Sequence, residues 1–298
     1  MEGSLENFYL YLKNNKGMSD NTLSSYKRDL NKFIKYSQNI EKEPHAFGKE
    51  DIEEFICYMK NNEYSDSSVA RMICTLRNFY AFLSENGAVL NNPMENIHKS
   101  KPKRDLPEIL TGAELDIISN ALKAGGDKCL RDRAIFEILY STGVKASEFI
   151  DMKLSDVNID IGFVSCGEGE EKRLIPIYPL ATECLRRYVH KVRPKLLKNK
   201  KSDILFFNYK GEKLTRQGLW KITKRFSKIL GLKKEITPHI LRHTFASDLL
   251  ASGARLSEIR DRLGHSDVSA TYIYEELQRC RREEVYLVEH PRARMRYY

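Results

Sequence analysis

The sequence predicts a mostly α-helical protein with a small β-sheet, divided into an N-terminal helical domain and a mixed α/β domain. Three observations carry that expectation. Four apolar stripes at helical spacing fill residues 1–86, and a basic, proline-punctuated stretch at 87–106 interrupts the pattern. Two short strand-like runs then flank Gly167-Glu168-Gly169-Glu170 within an otherwise helical remainder, 107–298.

The first stripe is Leu5, Phe8, Tyr9 and Leu12, at i, i+3, i+4 and i+7. Ser19 can cap a second helix, whose stripe runs Leu23, Tyr26, Leu30, Phe33 and Ile34. Ile52, Phe55, Ile56 and Met59 make a third. Ser65 opens the longest, through Val69, Met72, Ile73, Leu76, Phe79, Tyr80 and Leu83. Four amphipathic helices with short polar connections make a bundle. Lys27, Arg28, Lys32, Arg71 and Arg77 lie on the outer faces of the second and fourth helices, as a solvated surface or as a phosphate-binding one.

Asn91-Asn92-Pro93 and His98-Lys99-Ser100-Lys101-Pro102-Lys103-Arg104 carry no apolar periodicity, so 87–106 reads as an interdomain linker. Its Lys99, Lys101, Lys103 and Arg104 suit a chain crossing a phosphate backbone, and equally any solvated linker. Beyond it, Thr111 can cap a helix with Leu115, Ile118 and Leu122, and a buried helix follows through Ala134, Ile135, Ile138 and Leu139. Phe163 to Cys166 and Leu174 to Ile177 form a hairpin, with Ile204 to Phe207 as a candidate third strand. From Thr215 onward the chain reads as helices broken at Gly231, Gly253 and Gly264.

Lys and Arg outnumber Asp and Glu by 50 to 41, a net charge of +9, which favours a polyanionic partner without proving one. Cys57, Cys74, Cys129, Cys166, Cys184 and Cys280 show no CxxC pair and no matching histidine spacing. Reduced thiols, no metal and no cofactor are expected. The N-terminus lacks an apolar signal region, and no run of about 18 apolar residues occurs. A cytoplasmic protein with no membrane partner is the expectation.

The chemistry concentrates in Thr237-Pro238-His239-Ile240-Leu241-Arg242-His243. Thr237 caps and Pro238 opens a helix, and His239 and Arg242, three residues apart, share a face. Such a helix start offers free N–H groups, a positive dipole end and a two-pronged guanidinium to a phosphate. It also reads as a capped helix with one satisfied histidine. Leu263-Gly264-His265-Ser266-Asp267 then puts a histidine at a helix break, and Tyr274 follows in Thr271-Tyr272-Ile273-Tyr274.

The ordered set His-x-x-Arg, Leu-Gly-His, Tyr resembles the C-terminal signature of tyrosine site-specific recombinases and phage-type integrases, in particular the Xer-like bacterial branch. Leu139-Tyr140-Ser141-Thr142-Gly143 is similar to that family's approach to its first catalytic arginine, and Arg173-Leu174-Ile175-Pro176-Ile177 to the strand after its catalytic hairpin. The first helices resemble its core-binding (SAM-like) domain. The resemblance implies a core-binding domain joined to a mixed α/β catalytic domain, acting on a specific site in duplex DNA. It implies metal-free phosphoryl transfer: Tyr274 attacks a DNA phosphate, leaving a 3′-phosphotyrosyl bond and a free 5′-hydroxyl. Arg242 would clamp the non-bridging oxygens, His239 and His265 would donate to them, and His239 would take the tyrosine proton. Lys27, Arg28, Arg71, Arg77, Lys99, Lys101, Lys103 and Arg104 become candidate DNA contacts. The charged tail from Glu275 to Glu289 would dock on a neighbouring protomer in a homo- or hetero-tetramer on DNA, or pack on its own domain.

Two positions depart from the family pattern. Lys145 stands where the first catalytic arginine is expected, keeping the charge but losing the fork. Glu168 stands where the hairpin's proton-donating lysine belongs, in a hairpin one residue short, and a carboxylate there repels phosphate. Lys172, across the hairpin, is a candidate substitute. The sequence therefore leaves two readings: a site-specific recombinase with a partly degraded active site, or a DNA-binding or architectural protein derived from one.

Overall fold

The computed structural model describes residues 2–18, 20–97, 106–123, 125–167, 169, 172–198, 200–231, 235–264 and 271–279. The chain forms two compact units, Met1–Arg104 and Asp105–Tyr298. Ser19, the basic residues Lys99, Lys101, Lys103 and Arg104, and Glu168, His265 and the tail beyond 279 lie outside the described residues.

The first unit holds α1 (Glu2–Asn14), α2 (Asp20–Asn39), α3 (Lys49–Asn61) and α4 (Asp66–Glu85), with a 3-10 turn at Pro44–Ala46. Ser65 caps α4, its hydroxyl accepting from Ser68 N–H. The four stripes meet in one core that includes Phe8, Leu12, Leu30, Phe33, Phe55 and Tyr80. Tyr80 buries its ring and spends its hydroxyl on the Pro44 carbonyl at 2.8 Å, as a buried phenol must. The boundary expected at 86 moves. Val89, Met94 and Ile97 are buried in this core, and Arg77 Nη2 donates to Ile97 O at 2.7 Å. Three isolated apolar residues in an irregular stretch have no period to betray them, so the sequence read them as linker.

The second unit begins with α5 (Gly112–Ala121), closed by a capping box between Thr111 and Glu114. Next come α6 (Asp127–Thr142), α7 (Ala146–Asp151), a three-stranded sheet, α8 (Pro179–Arg187), α9 (Arg193–Leu197), α10 (Arg216–Leu230), α11 (Pro238–Ala251) and α12 (Leu256–Leu263). A helical segment at 272–279 closes the described chain. α6 is buried on nearly every side, so its polar residues must be paired internally. Glu137 accepts from Ser119 Oγ at 2.6 Å and from Tyr178 Oη, and Arg131 donates to Asp132.

The sheet runs β1 (Val157–Asn158), β2 (Phe163–Cys166), β3 (Arg173–Pro176), antiparallel throughout, with Val164 opposite Ile175 and Cys166 opposite Arg173. The third strand is β1, not 204–207. Leu205, Phe206 and Phe207 are all buried in succession, so the run enters the core without the alternation of a half-buried strand and keeps only the bridges Lys153–Ile204 and Phe207–Lys213.

Candidate active site

Three chain segments converge at one end of α6. The first is the turn after α6. Gly143 caps that helix with φ 58°, and a Cβ there would lie 2.3 Å from Phe245 Cδ1 on α11, so both conformation and space require glycine. The turn delivers Lys145 immediately before α7. Lys145 N–H donates to Glu148 Oε2 at 2.7 Å, which fixes the direction in which the lysine leaves the chain.

The second segment is α11. Thr237 Oγ1 accepts from Ile240 N–H, and Pro238 occupies the first turn. Arg242, one turn in, is buried; its Nη1 donates to Gly143 O at 2.6 Å and its Nη2 to Leu263 O at 2.8 Å. His239 sits at the solvent-facing rim, and partial burial followed by the Arg242 charge lowers its pKa, which leaves a neutral imidazole at pH 7.

The third is the C-terminus of α12, capped by Gly264 at φ 64°. Its last carbonyls are each taken by a different cation. Arg173 Nε donates to Arg262 O at 2.7 Å, Arg242 Nη2 to Leu263 O at 2.8 Å and Lys145 Nζ to Gly264 O at 3.2 Å. A helix C-terminus collects unpaired carbonyls and partial negative charge, so it gathers cations. Arg173 also grips Glu148 with both terminal nitrogens, each at 2.9 Å. Burial alone would raise the Glu148 carboxyl; the Arg173 guanidinium and the Lys145 N–H outweigh it and hold the group below the usual carboxylate range.

Tyr274 stands beside this cluster. Its ring is 1% exposed, its hydroxyl lies 2.9 Å from His243 Nδ1, and its neighbour Tyr272 is 56% exposed. Burial raises the Tyr274 pKa, and the Arg242 charge takes part of that back. His243 lies one turn beyond His239 on α11, ring centroids 6.4 Å apart, and burial with the charges of His239 and Arg242 pushes it down to about 4.

The structure thus brings Lys145, Arg242, His239 and Tyr274 into one region. Lys172 is exposed at the foot of β3, with no bond to that cluster among the described residues. Sequence reasoning missed Glu148, Arg173 and His243. Glu148, three residues after Lys145, carries the capping signal of a helix start, and His243, four after His239, shares its face; nothing local marks Arg173.

Two of the basic residues read as DNA contacts have structural partners. Arg71 holds the buried Asp29 with two bonds, at 2.8 and 2.9 Å, tying α4 to α2. Arg77 is engaged by Ile97 O. Arg28 is exposed and, among the described residues, bonds within its own helix to Ser24 O and Ser25 Oγ, and Lys27 is exposed over the Tyr9 ring at 4.7 Å.

A buried tyrosine, an arginine and a lysine gathered at two helix ends, in a chain that also carries a separate helical bundle, define a phosphoryl-transfer protein of integrase type. The model of the phage integrase family matches residues 108–280, and that of the phage integrase N-terminal SAM-like domain matches 5–87. The chain belongs to the phage integrase family, the tyrosine recombinases. It is similar to tyrosine recombinase XerD of Listeria monocytogenes, 38% identical over 298 residues, 98% of this chain and 100% of the relative. XerD of Oceanobacillus iheyensis is likewise 38% identical, over 98% of this chain and 100% of the relative. Among solved structures, the XerH site-specific recombinase bound to palindromic difH substrate, a post-cleavage complex, superposes with a TM-score of 0.75 at 22% identity, covering 89% of this chain and 79% of that one. A lambda integrase dimer bound to a COC′ core site gives 0.70 at 18% identity, over 92% and 94%. These two establish the shared fold.

Proposed function

We propose that this protein cuts and rejoins duplex DNA at a specific site with Tyr274 as the nucleophile. The observation that carries the reading is the convergence of Lys145 and Arg242 on the end of α12, with the Tyr274 hydroxyl held against α11 by His243 and within reach of the Arg242 charge. The Tyr274 oxygen attacks phosphorus, the bond to the 5′-oxygen breaks, and the 5′-oxygen leaves as a hydroxyl once protonated. Arg242 and Lys145 offset the charge that develops on the non-bridging oxygens. Neutral His239, at the open rim, takes the phenol proton. His265 is assigned as a further donor to the phosphate by its place in the sequence pattern, and Lys172, outside that pattern, stands in for the missing hairpin lysine as the donor to the leaving oxygen. Lys27 and Arg28, with the basic 99–104 stretch, contact the DNA backbone. Protomers assemble as a tetramer on two sites, in the cytoplasm and on the nucleoid.

The test is covalent trapping. Duplexes selected from a random library by binding are nicked next to the scissile phosphate and incubated with the protein; a denaturation-resistant protein–DNA band is the expected result. Tight, specific binding with no such band at any time would favour a second reading, a DNA-binding protein whose cleavage is lost. That reading draws on Lys145 and Glu168 in place of the family's arginine and lysine.

A further inference from the structure

The Tyr274 hydroxyl has one polar partner among the described residues, His243 Nδ1 at 2.9 Å, with the two rings 5.7 Å apart. A phenol has one proton to donate, and leaving a buried donor unmade is unfavourable. The arrangement that satisfies this donor has the phenol proton pointing at Nδ1 and the imidazole hydrogen on Nε2. Resting on the assignment of Tyr274 as nucleophile, we propose that His243 is a positioning residue that holds the Tyr274 hydroxyl protonated and sealed inside the catalytic unit until DNA is bound.

Two features favour a resting partner over a base. Taking the proton would make an imidazolium next to Arg242 and one helical turn from His239, the other groups whose charge bears on this ring, and those neighbours with burial push His243 down to about 4. A neutral acceptor facing the O–H also stabilises the phenol over the phenolate, the form that attacks. Cleavage must then begin by exchanging this bond: Tyr274 leaves Nδ1, turns toward the phosphate and gives its proton to a group at the rim. The pairing of His243 with Tyr274 is not visible in the local sequence, because the two lie 31 residues apart.

The DNA-free full-length protein is treated with tetranitromethane, and nitration at Tyr274 is measured by mass spectrometry against Tyr272, which lies two residues away and is 56% exposed. Wild type should show a Tyr274-to-Tyr272 ratio far below one. His243→Leu should raise it severalfold, and His243→Asn, whose Oδ1 stands near the place of Nδ1, should lower it again. On the nicked duplex, His243→Leu should form covalent adduct about 2–10-fold faster at unchanged DNA affinity, the equilibrium equivalent of one neutral hydrogen bond. His243→Phe keeps a flat ring without the acceptor and serves if the leucine variant does not fold. A wild-type ratio near one, or a ratio that neither variant moves, overturns the proposal. So does slower adduct formation in His243→Leu that His243→Asn restores, since His243 would then be aiding attack. Adducts that persist in Tyr274→Phe would instead defeat the nucleophile assignment, while the nitration ratio would still report on the His243 bond.

Discussion

Arg173 and Glu148 form a two-pronged ion pair, Nη1 to Oε1 and Nη2 to Oε2 at 2.9 Å each, that ties the first residue of β3 to the turn carrying Lys145. Arg173 also holds Arg262 O, so one guanidinium joins the hairpin strand, the 145–148 turn and the end of α12. A Cβ on Gly264 would come within 2.8 Å of Arg173 Nη1, which shows how closely that helix end is drawn in. Lys145 is thereby placed by a frame that does not depend on its own side chain.

That placement makes Lys145→Arg informative. The lysine offers one ammonium to Gly264 O; an arginine at the same point would regain a fork for the phosphate. Losing one preorganised donor in other enzymes costs roughly 10²–10³ in rate, so restoring it should accelerate adduct formation, by up to a comparable factor. Single-turnover cleavage with unchanged DNA affinity is the readout. A neutral result would mean that Lys145 is already a full substitute.

Lys172 is tested by its leaving group. If it supplies the proton to the 5′-oxygen, Lys172→Ala should slow cleavage of ordinary DNA by roughly 10²-fold, within the range for general acids. A substrate with sulfur at the 5′ position leaves as a thiolate and needs no proton, so it should be cleaved by Lys172→Ala nearly as fast as by wild type. Equal slowing on both substrates would remove Lys172 from that role.

Arg71 should behave as structure and Lys27 as interface. Arg71→Ala strands the buried Asp29 carboxylate with Thr75 as its remaining side-chain donor, and should destabilise the N-terminal unit by about 1–3 kcal/mol. It should leave the salt dependence of DNA binding unchanged in the folded protein. Lys27→Ala should lower the slope of log Kd against log salt by about one unit without changing thermal stability. The reverse pattern would exchange the two roles.

Acid should unfold the catalytic unit in two stages of the same sign. Glu148 has a folded pKa below its ordinary value of about 4.3, so its contribution is present above that pH and lost as pH falls through the folded value. His243, at about 4 against roughly 6.5 when unfolded, is a buried neutral base that must charge, so stability also falls from about pH 6.5 toward 4. In calorimetric melts, His243→Asn should flatten the upper stage and Glu148→Gln the lower one. Melting points in the two variants that track wild type at every pH would contradict both assignments.

The helices were legible because their signals are local. The stripe on α4, the Ser65 cap and the Thr237-Pro238 start each lie within a few residues, and each sits where it was read. His239, Arg242 and Tyr274 stand in an ordered sequence pattern, with Lys145 as a departure from it, and the structure places these four in one region. What escaped is long-range. Arg71 looks like any outward arginine until Asp29, 42 positions earlier, is seen beneath it. Val89, Met94 and Ile97 fill the first core without a period. The carbonyls of 262–264 carry no side-chain signature, so the site's cation trap could not be read from residue types at all.

The most direct test of the account is the covalent bond itself. Wild type and Tyr274→Phe are incubated with the nicked duplex and separated under denaturing conditions, with the adducted residue located by mass spectrometry. Wild type should carry a DNA adduct on Tyr274, and Tyr274→Phe should give no adduct with binding intact. An adduct on Tyr272, or an undiminished band in Tyr274→Phe, would contradict it.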